Sequence, residues 1–466
     1  MIAICGTGMG SLAGMLKKSG HHVTGSDQNI YPPMSTYLSN LGIEINEGYR
    51  AENIEGEPDL VVIGNAVRRD NPEARAAVER NLEYTSFPGA LRKYFLSRKK
   101  TIAVCGTHGK TTTTALVSWI MTYAGYDPSF LVGGICKNFE APIRLGEGRH
   151  FVIEGDEYDT AYFDKVPKFV RYEPNVAILA NVEFDHADIY PDFDAVFGAF
   201  SALVKMMPEG ALLAAGVDCP NVRKLLSKAR CKVVTYGTDY PADIGAEDVG
   251  FEDGYMRFRI CRKDKSTRLM RSPIIGRHNL KNILAAYSIC KAMGVTDEDF
   301  AGGLLAFKGI KRRQEVRGIV GDIVVVDDFA HHPTAVDETL KALAMQWEKR
   351  RIVAVFEPRT NTSRRKYFQR KYAESFDQAD EIVIAPVYDE KAIKPDQRFD
   401  TAKLAGDLRE KGKKAFEAPG LDRILNYLAD NLHSGDLVVL FSNGGFGGLH
   451  EKLLDQLREI YADHEK

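Results

Sequence analysis

The chain has 466 residues, which at roughly 150 residues per domain suffices for about three domains and exceeds a single small binding module. Its 62 Lys and Arg residues nearly balance 64 Asp and Glu residues, and the net charge of −2 argues against binding of a nucleic-acid backbone. Hydrophobic residues make up 44% and charged residues 27%, which is typical of globular domains and not of disordered or fibrous chains. The composition favours an enzyme that acts on small molecules.

Neither a membrane span nor a secretion signal is expected. No stretch approaches the roughly 18 apolar residues of a membrane-spanning helix, and the chain begins with a predicted strand. The seven cysteines are scattered without a CxxC pair, so they indicate neither a disulfide framework nor a thiolate zinc site, and most are expected to be buried. We expect a cytoplasmic protein without membrane insertion, a monomer or a weak homo-oligomer.

Short β-branched runs, glycine-containing turns and amphipathic helices alternate along the chain, as in parallel strands joined by crossover helices. We predict three α/β domains, of which the first and third are Rossmann-like and the second has a mostly parallel sheet of the P-loop ATPase type. Their predicted bounds are 1–97, 98–313 and 314–466. Strands are predicted at 2–5, 22–24, 60–63, 101–105, 151–153, 176–179, 232–234, 323–326, 352–355, 381–384 and 437–440.

Two further segments complete the predicted organisation. A helix is predicted over 34–41, and the alternating, charge-rich residues 246–275 around Asp253-Gly254 predict an antiparallel hairpin on the second domain. The basic segment 92–100 is interpreted as a solvated linker face, with an anion-binding patch as the alternative. In open parallel sheets, ligands bind at the carboxyl ends of the strands.

The strongest motif is Gly106-Thr107-His108-Gly109-Lys110-Thr111-Thr112, between a predicted strand and a helix predicted to begin near Thr111. Glycines let backbone N–H groups converge on phosphate oxygens, Lys110 brings a charge to the β- and γ-phosphates, and the Thr111 hydroxyl can bind Mg²⁺. The loop is a shortened variant, because Val104 stands where the usual motif has its first glycine. The pattern predicts an ATP site; the alternative is a glycine turn with a chance lysine.

Acidic residues follow two strands of the same predicted sheet. Glu154-Gly155-Asp156-Glu157 follows the strand at 151–153, and the run 181–188 follows the strand at 176–179. Since Mg²⁺ requires hard oxygen ligands besides phosphates and water, Glu154 is the preferred ligand candidate. The alternative for the run 181–188 is a solvated loop.

A second glycine-rich turn, Gly6-Thr7-Gly8-Met9-Gly10-Ser11, follows the first predicted strand, and Asp27 ends the next. The turn imitates a dinucleotide fingerprint, but Ser11 replaces the third glycine. It fits an anionic nucleotide at a helix N-terminus, with a plain tight turn as the alternative. An NAD-dependent oxidoreductase is the alternative from another class, and it leaves the Lys110 loop unexplained.

Three more segments carry candidate site residues. Arg277-His278-Asn279 and Asn282 open a predicted helix and can stack on and hydrogen-bond a purine, whereas a capping role for Asn279 is equally open. Arg312-Arg313 can close over phosphates or form a solvated hinge. The adjacent His331 and His332 point in different directions, which argues against a metal site made of these two alone.

Together these motifs resemble those of the Mur ligase family, ATP-dependent enzymes that join amino acids or peptides to UDP-N-acetylmuramic acid. The resemblance covers essentially the whole chain. Within the family, five runs resemble most the members that attach recycled L-Ala-γ-D-Glu-meso-diaminopimelate tripeptide; members that attach L-alanine are the alternative. The runs are Tyr31-Pro32-Pro33-Met34-Ser35-Thr36, Glu157-Tyr158-Asp159 with Phe163-Asp164-Lys165, Glu183-Phe184-Asp185-His186-Ala187-Asp188, Glu357-Pro358-Arg359-Thr360-Asn361-Thr362, and Ser442-Asn443-Gly444-Gly445-Phe446-Gly447-Gly448.

The resemblance implies an ADP-forming ligase that works through an acyl phosphate in cell-wall peptide recycling. The three domains would bind, in order, the UDP-sugar, ATP with Mg²⁺, and the peptide, and the third would close over the second. Lys110, Glu154 and His186 would be catalytic, with Thr111 and Glu154 at one Mg²⁺ and His186 at a second. The other implied residues are Gly106, Thr107, His108, Gly109, Thr112, His278, Asn279, Asn282 and Arg313 for ATP; Gly6, Thr7, Gly8, Met9, Gly10, Ser26 and Asp27 for the UDP-sugar; and Arg359, Asn361 and Asn443 for the peptide.

Overall fold

Three α/β regions follow one another in the computed structural model, which describes residues 1–30, 34–54, 56–262 and 265–462. The residues Tyr31-Pro32-Pro33 of the resemblance lie outside the described residues. The fold class is as predicted: three regions with mostly parallel sheets and an antiparallel addition to the central one. No described helix is long and apolar enough to cross a membrane. The seven cysteines are free thiols, and Cys105, Cys136, Cys231 and Cys290 are buried.

The N-terminal region is a small parallel sheet covered by helices. Its elements in chain order are α1 (Thr7–Lys18), β1 (Thr24–Asp27), α2 (Met34–Asn40), β2 (Glu44–Glu47), a 3-10 helix (Ala51–Ile54), β3 (Val61–Ile63), α3 (Pro72–Glu79), β4 (Tyr84–Ser86), α4 (Phe87–Tyr94) and a 3-10 helix (Leu96–Arg98). Strand β1 pairs with β2 and β3 pairs with β4, both in parallel. Ile2 bridges Ser26 on one side and Ile63 on the other, which joins the two pairs.

The predicted strand at 2–5 is wrong as a regular strand, because only Ile2 forms a bridge. Ala3 has φ +62°, a left-handed conformation that interrupts the extended backbone. Pairing nevertheless continues on both sides: the Ile2 N–H donates to Val62 O at 2.9 Å, and the Ile4 N–H donates to Ser26 O at 3.0 Å. The segment therefore lies between two strands and then turns sharply into α1.

The central region is built on one large sheet. Its elements are β5 (Lys100–Cys105), α5 (Lys110–Tyr123), β6 (Ser129–Cys136), β7 (Ala141–Arg144), β8 (His150–Gly155), β9 (Asp159–Ala161), β10 (Asp164–Pro167), α6 (Lys168–Tyr172), β11 (Val176–Leu179), α7 (Phe193–Met206), β12 (Leu212–Gly216), α8 (Pro220–Leu226), β13 (Lys232–Tyr236), β14 (Ile244–Glu252), β15 (Tyr255–Arg262), β16 (Lys265–Ser266), β17 (Met270–Ser272), α9 (Arg277–Ala292) and α10 (Asp297–Leu305). The strand order is β16-β15-β14-β13-β12-β11-β5-β8-β6-β7, with β17 on β15. The predicted hairpin is confirmed, since Glu252 pairs with Tyr255 across Asp253-Gly254.

The C-terminal region is built on a second sheet. Its elements are β18 (Glu315–Val320), β19 (Ile323–Asp328), α11 (Pro333–Gln346), β20 (Ile352–Phe356), α12 (Gln369–Ser375), β21 (Glu381–Ile384), α13 (Thr401–Glu410), β22 (Lys414–Glu417), α14 (Leu421–Asn431), β23 (Leu437–Phe441) and α15 (Leu449–Ala462), with 3-10 helices at Lys366–Phe368, Glu390–Ala392, Pro395–Gln397 and Phe446–Gly448. The strand order is β18-β19-β23-β20-β21-β22, and all pairs are parallel except β18 with β19. Apolar side chains are buried on both faces of the sheet, which explains the unbroken β-branched runs of its strands.

Strand register brings the candidate motifs to one edge of the central sheet. Cys105 at the end of β5 pairs with Gly155 of β8 on one side and with Leu179 of β11 on the other. The loop after β5 and the acidic runs after β8 and β11 therefore leave the sheet at the same level. The two larger sheets span 100–272 and 315–441, and the domain bounds 1–97, 98–313 and 314–466 remain a prediction.

Candidate active site

The loop after β5 has the form of a phosphate cradle. Gly106 and Gly109 have φ of +138° and +81°, values that favour glycine, and α5 begins directly afterwards at Lys110. The loop is held in place from β11, because Asn181 O accepts from the Thr107 N–H at 3.1 Å and Asn181 Oδ1 accepts from the His108 N–H at 2.8 Å. The backbone N–H groups at the start of α5 thus form a fixed site suited to anions.

Lys110 is held by a buried carboxylate that the sequence analysis did not single out. Its Nζ lies 2.9 and 3.0 Å from the two carboxylate oxygens of Glu157, whose side chain is 2% exposed. His186 Nε2 lies 2.8 Å from Glu157 Oε1. Burial opposes the charged form of Lys110, but Glu157 and Asp156 outweigh it and raise the pKa of Lys110. The signal for Glu157 was its place in the same acidic run as Glu154.

Glu154 has different partners from those of Glu157. Its Oε1 accepts from the Gly133 N–H at 2.7 Å, and its carboxylate also contacts the Thr111 hydroxyl. Burial raises the pKa of Glu154, although Gly133, Thr111 and two cationic side chains oppose that shift. Arg313 Nη2 lies 3.5 Å from Thr111 Oγ1. Thr111 and Glu154 therefore form one group of oxygen donors, whereas His186 belongs to the Glu157 side.

The run 181–188 is an inter-domain contact and not a solvated loop. Glu183 Oε2 accepts from the Thr334 hydroxyl at 2.8 Å, and Asp185 Oδ1 accepts from the Thr362 hydroxyl at 2.7 Å. Asp185 is 5% exposed. Burial would raise its pKa, but the nearby His186, His331 and His332 outweigh burial and lower it. The C-terminal region is thus docked on the carboxyl end of β11.

These groups surround a cavity of about 930 Å³ between the central and C-terminal regions. Every residue implied for ATP except Gly106 lines it, and so do Glu154 and His186. The lining residues from the sequence analysis are Thr107, His108, Gly109, Lys110, Thr111, Thr112, Glu154, His186, His278, Asn279, Asn282 and Arg313. Residues separated by up to 206 positions thus meet at one site.

The start of α9 forms the wall of this cavity next to the loop. Asn279 Nδ2 donates to Ile275 O at 2.8 Å, and Asn282 Nδ2 donates to Asn279 Oδ1 at 3.2 Å. Burial lowers the pKa of His278 to about 4, so its ring is neutral near pH 7. The residue at the helix N-cap is Gly276, so Asn279 is one turn inside and does not cap the helix. A neutral ring and two amides suit a purine base.

The residues implied for the UDP-sugar and the peptide lie outside that cavity lining. At the N-terminal turn, Asp27 Oδ2 accepts from the Cys5 N–H at 2.8 Å, and the hydroxyl of Ser26 donates to Glu73. Thr7, Gly8, Met9 and Gly10 form the first turn of α1, after Gly6 at the N-cap. The structure thus places this set in the N-terminal region, away from the phosphate loop.

The three residues implied for the peptide follow β20 and β23 of the C-terminal sheet. The Arg359 guanidinium stacks on the Tyr388 ring at 3.7 Å, and Asn361 Nδ2 donates to Asp188 Oδ2 at 3.0 Å across the domain boundary. Asn443 Oδ1 is buried and has no hydrogen-bond partner among the described residues. Carboxyl ends of parallel strands are where such sheets bind ligands.

The phosphate loop carries a lysine and faces buried carboxylates, and another α/β region is docked over it. This arrangement defines a nucleotide-dependent enzyme of the P-loop class. Three family models match the chain. Residues 1–99 match the Mur ligase family catalytic domain, residues 104–290 match the Mur ligase middle domain, and residues 312–444 match the Mur ligase glutamate ligase domain. The chain belongs to the Mur ligase family, whose members are ATP-dependent enzymes that form amide bonds.

Full-length relatives agree with the family match. The chain is 38% identical over 473 residues to UDP-N-acetylmuramate–L-alanyl-gamma-D-glutamyl-meso-2,6-diaminoheptandioate ligase of Escherichia coli K12, covering 98% of the chain and 97% of that protein. It is 33% identical over 445 residues to UDP-N-acetylmuramate–L-alanine ligase of Clostridium botulinum Hall, covering 95% and 94%. The crystal structure of a murein peptide ligase from Psychrobacter arcticus 273-4 superimposes with a TM-score of 0.72 at 35% identity, covering 98% of each chain.

Proposed function

We propose that the chain joins the lactyl carboxylate of UDP-N-acetylmuramic acid to the amine of L-Ala-γ-D-Glu-meso-diaminopimelate, with ATP converted to ADP and phosphate, in cell-wall peptide recycling. The observation that carries the proposal is the 38% identity, over 98% of the chain, to a relative named for this reaction. The relative named for L-alanine is 33% identical. Residues 1–97 would bind the UDP-sugar, residues 98–313 ATP, and residues 314–466 the peptide.

The proposed reaction needs positive charge and positioning more than a protein nucleophile. The lactyl carboxylate attacks the γ-phosphate and displaces ADP, and the peptide amine then displaces phosphate from the resulting acyl phosphate. Lys110 and the N–H groups at the start of α5 would hold the phosphates, because Lys110 and the residues next to it line the same cavity. Arg313, which lines the same cavity, would add a second cation.

The residues at the loop fit a hard divalent cation such as Mg²⁺. The contact between Glu154 and the Thr111 hydroxyl supplies two oxygen donors, and the pKa of the half-buried Glu154 carboxyl is raised, so a nearby cation would stabilise its charged form. When bound there, Mg²⁺ would neutralise charge on the ATP phosphates. His186 is held by Glu157 and would serve a separate position.

Docking of the C-terminal region would keep water from the acyl phosphate. The contacts of Thr334 with Glu183 and of Thr362 with Asp185 join the C-terminal region to the loop after β11, which lines the cavity. Substrate entry then requires these contacts to open, so we propose that the C-terminal region opens and closes during turnover. Scattering profiles with and without an ATP analogue plus UDP-N-acetylmuramic acid would test this, and identical profiles would contradict it.

The direct test is phosphate release measured with each substrate omitted in turn. We expect release only when ATP, UDP-N-acetylmuramic acid and the tripeptide are all present, and formation of the amide product in equal amount. L-alanine run beside the tripeptide decides between the two types of relative, since activity with L-alanine alone contradicts the proposal. A tripeptide with lysine at its third position would define the specificity at that residue.

A further inference from the structure

Three side chains from three separate segments meet beside the phosphate loop. His108 belongs to the loop, Glu183 follows β11, and His332 is the N-cap residue of α11 in the C-terminal region. One ligand atom from each lies within 4.8 Å of the other two. Glu183 Oε2 is 3.5 Å from His108 Nε2 and 3.9 Å from His332 Nδ1. Two imidazole nitrogens and one carboxylate oxygen thus lie close enough together to surround one ion.

The three ligand atoms differ in their existing hydrogen bonds: Glu183 Oε2 accepts from the Thr334 hydroxyl at 2.8 Å, whereas the two histidine nitrogens have longer contacts or none among the described residues. His108 Nε2 is buried and has no hydrogen-bond partner among the described residues. His332 Nε2 lies 3.3 Å from Phe184 O, to which it can donate, and this fixes the tautomer that leaves a lone pair on Nδ1. That lone pair has only a 3.3 Å contact with the Thr334 N–H. A ring N–H directed at a backbone carbonyl is the arrangement usual for metal-binding histidines.

We propose that His108, Glu183 and His332 form a binding site for a divalent cation of the zinc class, which joins the phosphate loop to the start of α11. Ligands about 2.0–2.1 Å from a tetrahedral ion are about 3.3 Å apart, so the observed spacing requires only small side-chain movements. Mg²⁺ does not fit, because it prefers an octahedral shell of oxygens. The fourth position is left for water or another ligand. Binding needs neither ATP nor substrate, so the site does not depend on the proposed function.

The test is Zn²⁺ affinity of the full-length chain, freed of metals and titrated against a chromophoric chelator. We expect Glu183→Gln and His332→Gln each to weaken binding by about 100-fold or more, since even changes outside the ligand shell cost 10- to 100-fold. The matched control is His331→Gln, which alters the adjacent histidine, whose Nδ1 lies 3.1 Å from Phe329 O, and should keep the wild-type affinity. Circular dichroism shows which variants are folded.

Two further measurements separate this site from adventitious binding. Zn²⁺ should raise the Tm of the wild type and of His331→Gln but not of His332→Gln, because only an intact site links the two regions. Co²⁺ should give the visible spectrum of a nitrogen and oxygen site without thiolate charge-transfer bands. Unchanged Zn²⁺ affinity in either folded ligand variant, thiolate bands, or Mg²⁺ binding as tightly as Zn²⁺ would each overturn the proposal.

Discussion

The chain contains two glycine-rich turns that lead from the edge of a sheet into a helix. They differ in the backbone conformation of the glycines and in the charged side chains next to them. At residues 106–109 the glycines adopt positive φ, and a lysine opens the helix. At residues 6–10, Gly6 has φ −64°, and no acidic or basic residue stands in the first turn of α1. Asp27 instead accepts from the Cys5 N–H. Similar glycine spacing therefore produces a cationic cradle in one region and a carboxylate-bearing turn in the other.

The difference indicates which part of a nucleotide each turn suits. A fixed N–H cradle with a lysine favours phosphate groups, whereas a carboxylate repels phosphate and accepts hydrogen bonds from hydroxyl or N–H groups. Asp27 would therefore face the uridine or sugar part of a ligand, and Lys110 the phosphates of another. The predictions that follow separate these two roles.

The largest effect is expected for Lys110→Ala. In the proposed reaction Lys110 is the main positive charge at the γ-phosphate, so we expect its loss to lower turnover by about 10²–10³-fold or more. The control is Lys100→Ala, an exposed lysine at the start of β5, which should keep full activity. Phosphate release at saturating substrates measures both. Activity of Lys110→Ala above about a tenth of wild type would contradict the phosphate role.

Lys110→Ala also leaves the buried Glu157 without its lysine, which can cost about 3–5 kcal/mol of stability. The double variant Lys110→Ala/Glu157→Gln removes that unpaired charge. We expect it to regain stability in urea unfolding and to stay inactive. Recovery of activity together with stability would show that the lysine only maintains the fold.

A matched pair of glycine substitutions tests the conformational difference between the turns. Gly109 has φ +81°, and an added Cβ would lie 2.4 Å from Asn282 Oδ1. Gly109→Ala is therefore strained both in its backbone conformation and by a steric clash. We expect it to cost about 1–3 kcal/mol and to raise the KM for ATP. A Cβ added at Gly6 would make an ordinary van der Waals contact with Ala3 O at 3.8 Å. Gly6→Ala should therefore change the free energy of unfolding by less than about 0.5 kcal/mol. Equal losses of stability in urea unfolding would refute the distinction.

Local sequence patterns predicted the fold well because β-branched runs and glycine turns act over a few residues. The strands at 176–179 and 381–384 have the predicted bounds. Two predictions differ from the structure: the strand predicted at 22–24 spans Thr24–Asp27, and residues 2–5 are interrupted by the positive φ of Ala3, which nothing in the local pattern indicates. An alanine in that conformation is maintained by pairing on both sides, which is a tertiary effect.

The residues of the candidate site also differ in whether the sequence alone could predict them. The motif around Lys110 was recognisable because its glycines, lysine and threonine are adjacent in the chain. Glu157 could not be separated from Glu154 by sequence, since only the three-dimensional structure shows which carboxylate meets Lys110 and which meets Thr111. Likewise, the contact of His332 with Glu183 joins residues 149 positions apart.

A smaller effect is expected for Asp27→Ala. It removes the acceptor of the Cys5 N–H, and if Asp27 also binds the UDP-sugar, the KM for that substrate should rise about tenfold, equivalent to about 1.4 kcal/mol. The KM for ATP should not change, because Asp27 lies outside the cavity lined by the phosphate loop. Asp59→Ala, an exposed carboxylate in the same region, is the control. A parallel rise of both KM values would contradict separate sites.

The smallest effect is expected for the pH dependence of the free energy of unfolding, to which His186 beside the phosphate loop contributes. Burial disfavours a charged His186, but the hydrogen bond to Glu157 and the negative charges of Glu157 and Asp185 together outweigh burial and raise the pKa of His186 above 6.5. A raised folded-state pKa stabilises the fold fully below 6.5, and this contribution is lost as the pH rises through the folded-state pKa. The free energy of unfolding should therefore fall over that range.

His186→Gln should remove that part of the pH dependence, because glutamine can still hydrogen-bond Glu157 but does not titrate. Urea unfolding of both proteins at a series of pH values from about 6 to 9 measures the difference. The exposed His433→Gln should keep the wild-type slope. If His186→Gln keeps it as well, Glu157 does not hold a charged imidazole, and Lys110 alone neutralises this buried carboxylate. In that case the cationic character of the phosphate loop would rest on a single residue.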